Sequence, residues 1–158
     1  MKVMLDEGAF LPSRANGADA GLDLYARECR VVPAGGSAVF DTGVHMEIPV
    51  GFCGLLVSKS GLNVRWGITS TGLIDAGYTG SIRVKLYNRN VGDYQVRRGD
   101  KISQIVILPV AMVELELVDK LEDTPRGDNG FGSSGRCGKI KAAPRGAAGL
   151  QRCALFPR

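Results

Sequence analysis

Histidine is almost absent from this chain: there is one, His45, in 158 residues. It lies in Val44-His45-Met46-Glu47-Ile48, where Val44, Met46 and Ile48 alternate as one face of a strand and His45 shares the other with Glu47. That placement predicts a solvated strand histidine. A serine–histidine relay or a metal site built from several histidines has little to draw on. Cysteine is scarce too. Cys29, Cys53, Cys137 and Cys153 show no C-x-x-C spacing, and two of them lie beyond Gly135. Reduced thiols are expected, with no disulfide framework and no zinc. No apolar run approaches the ~18 residues of a membrane span, and no secretory leader pattern is seen, so a cytoplasmic location without a membrane partner is expected. Acidic residues are missing from 136–158, which carry six basic ones. Taking those six from the 20 Lys and Arg leaves 14 against 16 Asp and Glu, a balance of −2 over residues 1–135. The basicity therefore sits in the tail. The body lacks the basic stripe of a nucleic-acid binder, and no specific nucleic-acid partner is expected.

Glycine is abundant instead, at 22 residues, about twice the ordinary ~7%. The length suits one domain with a real core. Strand signals are short and separated by turn residues. Val31-Val32 runs into Pro33-Ala34-Gly35-Gly36, Val44–Ile48 stops at Pro49, and Phe52–Val57 is a short apolar run. Ile82, Val84 and Leu86 alternate with polar neighbours, Ile102–Leu108 reads as a strand buried on both faces, and Val113, Leu115 and Leu117 alternate with Glu114 and Glu116. One stretch invites a helix, with Ser60 as cap of Gly61–Trp66 and Gly67 as its end. The expected fold is all-β, a sandwich or jelly-roll with one short helix. Its domain is expected over 1–123, followed by a mobile Gly-rich arm over 124–135 and a basic, disordered tail over 136–158.

Several polar clusters interrupt this pattern. Asp23, in Ala20-Gly21-Leu22-Asp23-Leu24, reads by itself as a strand-end or turn aspartate. Ser58-Lys59-Ser60-Gly61 joins a cation and a hydroxyl to a helix start, which suits phosphate but also describes an ordinary cap. Gly72-Leu73-Ile74-Asp75-Ala76-Gly77-Tyr78-Thr79-Gly80 reads as a tight, hairpin-like turn holding a carboxylate beside an aromatic ring. With His45 discounted, a general base should be a carboxylate. Gln104 follows Gly99-Asp100-Lys101-Ile102-Ser103 inside a buried run and needs a polar partner. Arg126–Gly135 combines an arginine, glycine N–H groups, two serines and Phe131, a phosphate-cradling set or simply a linker.

In this order, Ala20–Leu24, Ser60-Gly61-Leu62, Gly72–Gly80, Gly99–Gln104 and Arg126–Gly135 resemble the five motifs of the trimeric dUTP diphosphatases. The resemblance covers residues 1–135 and leaves the tail without a counterpart. It implies a jelly-roll homotrimer with three shared active sites that hydrolyses dUTP to dUMP and diphosphate with Mg2+. Such an enzyme removes dUTP from the nucleotide pool and supplies dUMP for dTTP synthesis. Carried over by motif, Asp75 would activate the attacking water and meet the sugar 3′-hydroxyl. Tyr78 would pack under the deoxyribose and exclude a 2′-hydroxyl. Gly72, Leu73 and Ile74 would read uracil, with Arg83 lining that pocket. Lys59, Ser60, Gly61 and Gln104 match phosphate-contacting positions, and Asp23 matches one that holds Mg2+ through water. A neighbour's arm would bring Phe131 onto the base and Arg126, Gly132, Ser133 and Ser134 onto the γ-phosphate. A dCTP deaminase of the same superfamily and a non-catalytic nucleotide-binding jelly-roll are the alternatives. Tyr78 and the complete arm argue against the first, and Asp75 against the second.

Overall fold

Period-two alternation of aliphatic side chains makes strands of most of this chain, because each alternating run can bury one face. The computed structural model describes residues 1–128. These fall into two units, Met1–Glu114 and the segment from Leu115 onward.

The first unit holds ten strands and one helix. They are β1 (Val3–Leu5), β2 (Gly21–Tyr25), β3 (Arg30–Val32), β4 (Ser37–Asp41), β5 (Val44–Met46), β6 (Phe52–Val57), α1 (Ser60–Trp66), β7 (Ile68–Ile74), β8 (Arg83–Asn88), β9 (Tyr94–Val96) and β10 (Lys101–Pro109). An antiparallel six-stranded sheet runs β2-β10-β6-β7-β8-β4, and two small sheets pair β1 with β5 and β3 with β9. The large sheet curls around the core, and the architecture is the expected jelly-roll. Phe40, Leu24, Ile68, Ile82, Leu86 and Ile105 lie fully buried at its centre.

The alternating faces fall where the sequence predicts. Val44, Met46 and Ile48 are buried, as are Ile82, Val84 and Leu86, while Arg83, Lys85 and Tyr87 are exposed. Four other expectations need correction. Burial of both faces of β10 holds only over Ile102 to Ile105, and Leu108 is exposed, beyond the end of the β2 ladder at Val106. The run Val113–Leu117 forms no strand. Alternation alone cannot make one without a partner ladder, and no described strand lies beside it, so Val113, Leu115 and Leu117 are exposed. Ser60 is the first helical residue and not the cap. Lys59 keeps the extended backbone, φ −68° and ψ 126°, and accepts the first helical bond from the Asn63 N–H. Gly67 does end the helix, in the left-handed conformation at φ 61°. The segment after Gly72 is not a tight hairpin, since β7 and β8 pair only at Ile68–Ser70 with Leu86–Asn88. Beyond that they part, β7 staying with β6 and β8 with β4.

In the second unit, described to Asp128, Lys120 pairs with Asp123 at 3.2 Å. The Gly127 N–H donates to the Thr124 carbonyl at 3.0 Å and to its hydroxyl at 3.1 Å.

One buried amide ties the core to its loops. Asn88 donates from Nδ2 to the carbonyls of Val32 at 3.0 Å and Gly92 at 2.8 Å, and its Oδ1 accepts from the Asn90 N–H at 2.9 Å. Asn88→Ala takes a bond from all three partners, of which the Val32 carbonyl is buried. The expected loss is about 2–4 kcal/mol, read from denaturant midpoints at fixed protein concentration. A loss under ~0.5 kcal/mol would show that water replaces the amide.

Candidate active site

The residues singled out by sequence gather into two groups in the first unit. One surrounds the junction where β6 leaves the sheet and enters α1. Ser58 sits at that junction, where its hydroxyl donates to the Ser70 carbonyl at 3.0 Å and accepts from the Ser70 N–H at 2.9 Å. Ser70 and Ser103 bond through their buried hydroxyls at 2.8 Å, and Ser103 also reaches the Val57 carbonyl at 3.0 Å. These bonds hold the Ser58–Gly61 segment against β7 and β10. Gln104 Nε2 donates to the Ser58 carbonyl at 3.2 Å, which supplies the polar partner its burial requires. Gly21 beside it leaves room for this amide, since a Cβ there would meet the Gln104 amide oxygen and push the side chain aside.

Asp23 lies on β2 directly across from Gln104, so it is a mid-strand residue and not a turn aspartate. Its side chain is 3% exposed and sits between two ammonium groups. Lys59 bonds to Oδ1, and Lys101 Nζ lies 2.7 Å from Oδ2 in an ion pair that falls short of a directed hydrogen bond. Burial pushes the carboxyl up, and the two lysines more than reverse this, leaving it below the usual carboxylate range. The same contact raises Lys101. Lys101 was missed as a functional candidate, since charges before a strand read as a solvated turn. The signal was its place at the head of the strand that pairs with β2.

The second group stands on the segment between β7 and β8. Gly72, Leu73 and Ile74 end β7, with Leu73 exposed, and Arg83 opens β8 opposite Asp41. Asp75 follows exposed, and among the described residues its carboxylate has no hydrogen-bond or ion-pair partner. Its carbonyl accepts the Tyr78 N–H at 3.3 Å, closing a turn whose Gly77 has φ 82°. The half-exposed Tyr78 folds back over Gly80, where a Cβ would strike the ring, and its hydroxyl donates to the Ser81 carbonyl at 3.1 Å. Asp75 also lines a hollow of about 440 Å³ with Phe52, Leu73, Val110 and Met112.

The chain does not bring its two groups together. Gln104 and Thr71 both pair with Val57, whereas Ile74 pairs with Gly54. Ile74, directly before Asp75, therefore sits three residues along β6 from Val57, roughly 10 Å away. Arg126 belongs to the second unit and is exposed. Phe131, Gly132, Ser133 and Ser134 lie outside the described residues. No three His, Cys, Asp or Glu residues cluster as metal ligands among the described residues.

The Asp23 pair contributes stability above the unfolded carboxylate's value of about 4 and loses it as the pH falls through the lower folded value. Asp23→Asn is therefore expected to cost roughly 1.5–3 kcal/mol at pH 7, with the gap from wild type closing below pH ~4. Denaturant titrations across that range decide it, and a gap that stays constant into acid would contradict the pairing.

Comparison with known proteins adds an independent finding. The dUTPase family model matches residues 8–135. The chain is 44% identical over 142 residues to the deoxyuridine 5′-triphosphate nucleotidohydrolase of Mycobacterium marinum, covering 84% of this chain and 92% of that protein. It is 38% identical over 140 residues to the protein of the same name from Debaryomyces hansenii, at 86% and 88% coverage. Among solved structures, the dUTPase of Staphylococcus bacteriophage 80alpha with dUpNHpp matches with a TM-score of 0.79 at 32% identity, over 85% of this chain and 97% of that one. A mutant dUTPase of phage phi11 of S. aureus, described for its coordination of a structural Mg(II) ion, matches with a TM-score of 0.71 at 33% identity, over 77% and 98%.

Proposed function

The chain belongs to the dUTPase family, and from that premise we propose that it hydrolyses dUTP to dUMP and diphosphate in the cytoplasm, drawing down dUTP and supplying dUMP for dTTP synthesis. The observation that carries this reading is Asp75, an accessible carboxylate without a partner among the described residues, held one turn from Tyr78 on a braced segment.

In this reading Asp75 accepts a proton from water as its oxygen attacks the α-phosphorus. The new O–P bond forms as the bond from the α-phosphorus to the bridging oxygen breaks, and diphosphate leaves with that oxygen. Asp75 also takes the 3′-hydroxyl. The Tyr78 ring lies under the deoxyribose, where a 2′-hydroxyl would clash. Gly72, Leu73 and Ile74 present backbone groups to uracil, beside Arg83. Lys59, Ser60, Gly61 and Gln104 meet the phosphates, joined by Arg126, Gly132, Ser133 and Ser134 of the arm, with Phe131 on the base. Such chemistry depends on positioning and charge neutralisation more than on covalent steps.

Asp23 offers Mg2+ no free edge in this arrangement, because Lys59 and Lys101 flank both of its carboxylate oxygens. With either lysine turned onto a substrate phosphate, Asp23 would hold the hydrated ion through its water shell, and the bound ion would neutralise phosphate charge.

The separation of the two groups supports sites shared between chains, as in the homotrimer that the family likeness implies. Asp75 and the Lys59 cluster of one chain stand too far apart along β6 to serve the same α-phosphate. Different chains can bring them together.

A panel of dUTP, dCTP, dTTP and UTP tests the reading, with dUTP alone expected to release diphosphate efficiently and dCTP not to be deaminated. Asp75→Asn is expected to lower kcat by ~10²–10⁴ while substrate still binds, measured by steady-state kinetics and a binding titration. A loss under tenfold would remove Asp75 from the base role.

A further inference from the structure

Several segments meet beneath the turn that carries Asp75 and Tyr78, and His45 stands between them. Its side chain is 18% exposed, so the solvated strand histidine expected from the sequence is not what the fold contains. Nδ1 lies 2.7 Å from the Thr79 carbonyl oxygen, and Nε2 lies 3.1 Å from Asp6 Oδ1. A carbonyl and a carboxylate can only accept. Both ring nitrogens must therefore carry protons to make both bonds, and the ring in this geometry is the imidazolium.

The partners are themselves fixed. Asp6 accepts from Arg27 Nη1 at 3.1 Å through its other oxygen. Arg27 Nη2 lies 3.7 Å from Asp41. Asp41 accepts from the Ser81 hydroxyl and from the Gly43 N–H at 3.0 Å. Thr79 and Ser81, on either side of Gly80, are thus both tied to the body of the fold. Among the described residues, the Lys2–Glu47 pair at 3.0 Å lines the same hollow as the ring, and Arg83 stands across from Asp41. The Thr79 carbonyl foremost, then Asp6 and Asp41, hold the imidazolium above the ordinary histidine value against the opposing effect of burial.

We propose that His45, as the imidazolium, is a positioning residue for the Asp75–Gly80 turn: it grips the Thr79 carbonyl and loses that two-sided grip when it deprotonates. Either neutral tautomer turns one of the two bonds into a contact between lone pairs, at Thr79 or at Asp6. The hold is fully present below about pH 6.5, the unfolded histidine value, and is lost as the pH rises through the raised folded value. The effect on turnover rests on the dUTP reading, but the clamp itself does not.

Because His45 is the only histidine, its Cε1–H resonance in the full-length protein is unambiguous. Its NMR titration is expected to have a midpoint above ~6.5, with the amide resonances of Gly77 and Gly80 following the same midpoint. Asp6→Asn should lower that midpoint, and the alkaline fall in kcat for dUTP should move with it. In His45→Gln that alkaline fall should disappear. A midpoint at or below ~6.5, or turn amides indifferent to the titration, overturns the clamp. An alkaline fall in kcat that neither variant moves overturns its role in positioning. If dUTP is not turned over at any pH, the dUTP reading fails, and the amide titration still decides the clamp.

Discussion

The register of β6 is the constraint on which the rest depends. This strand pairs with β10 along one edge and β7 along the other, so residues near its two ends are separated by the full strand rise. Its C-terminal end launches α1 and meets Gln104, across from Asp23, which gathers the lysines and the serine spine. Toward its N-terminal end it faces the end of β7, from which Asp75 projects. One chain thus holds two separate side-chain groups with different electrostatics. The first is a buried anion saturated by cations, and the second an exposed carboxylate without a partner among the described residues.

Each half is braced by polar contacts in the part-buried layer between core and solvent. At the first half, Ser58, Ser70 and Ser103 hold the strand-to-helix junction, and the ion pairs keep Asp23 ionised inside the sheet. At the second, β7 and β8 part after Ser70, and the segment between them has no ladder of its own. It is tied down by side chains, with His45 on Thr79, Asp41 on Ser81 and Tyr78 folded over Gly80, and by backbone bonds of Ile82 to Val44 and Thr42. The roles proposed for Asp75 and Tyr78 need such fixed placement, since transition-state stabilisation falls off steeply with misplacement.

The strands with a clean period of two were legible in sequence, down to which face of β8 is buried, and so was the jelly-roll class. The motifs named Asp23, Lys59, Gln104 and Asp75 as places to look. Pairing partners were not legible. Nothing local says that Val113–Leu117 lacks a ladder, that β7 and β8 separate, or that Asp23 is a mid-strand residue, because each follows from contacts distant in sequence. His45 was misjudged for the same reason. Alternation gave its face correctly, but Asp6 and Thr79, which cover that face, are 39 and 34 residues away. Lys101 is exposed, as a charge before a strand should be, but its ion pair with Asp23 shows only once β10 lies beside β2.

The central claim, that the Asp75 turn and the Lys59 cluster serve one site from different chains, is tested most directly by mixing two variants. Asp75→Asn and Lys59→Ala proteins are each expected to be nearly inactive. After co-refolding in equal amounts, random trimers should regain roughly a quarter of the wild-type rate, since a site drawn from two chains finds both intact partners that often. Mixed trimers demonstrated by mass spectrometry but without recovered turnover would contradict the shared site.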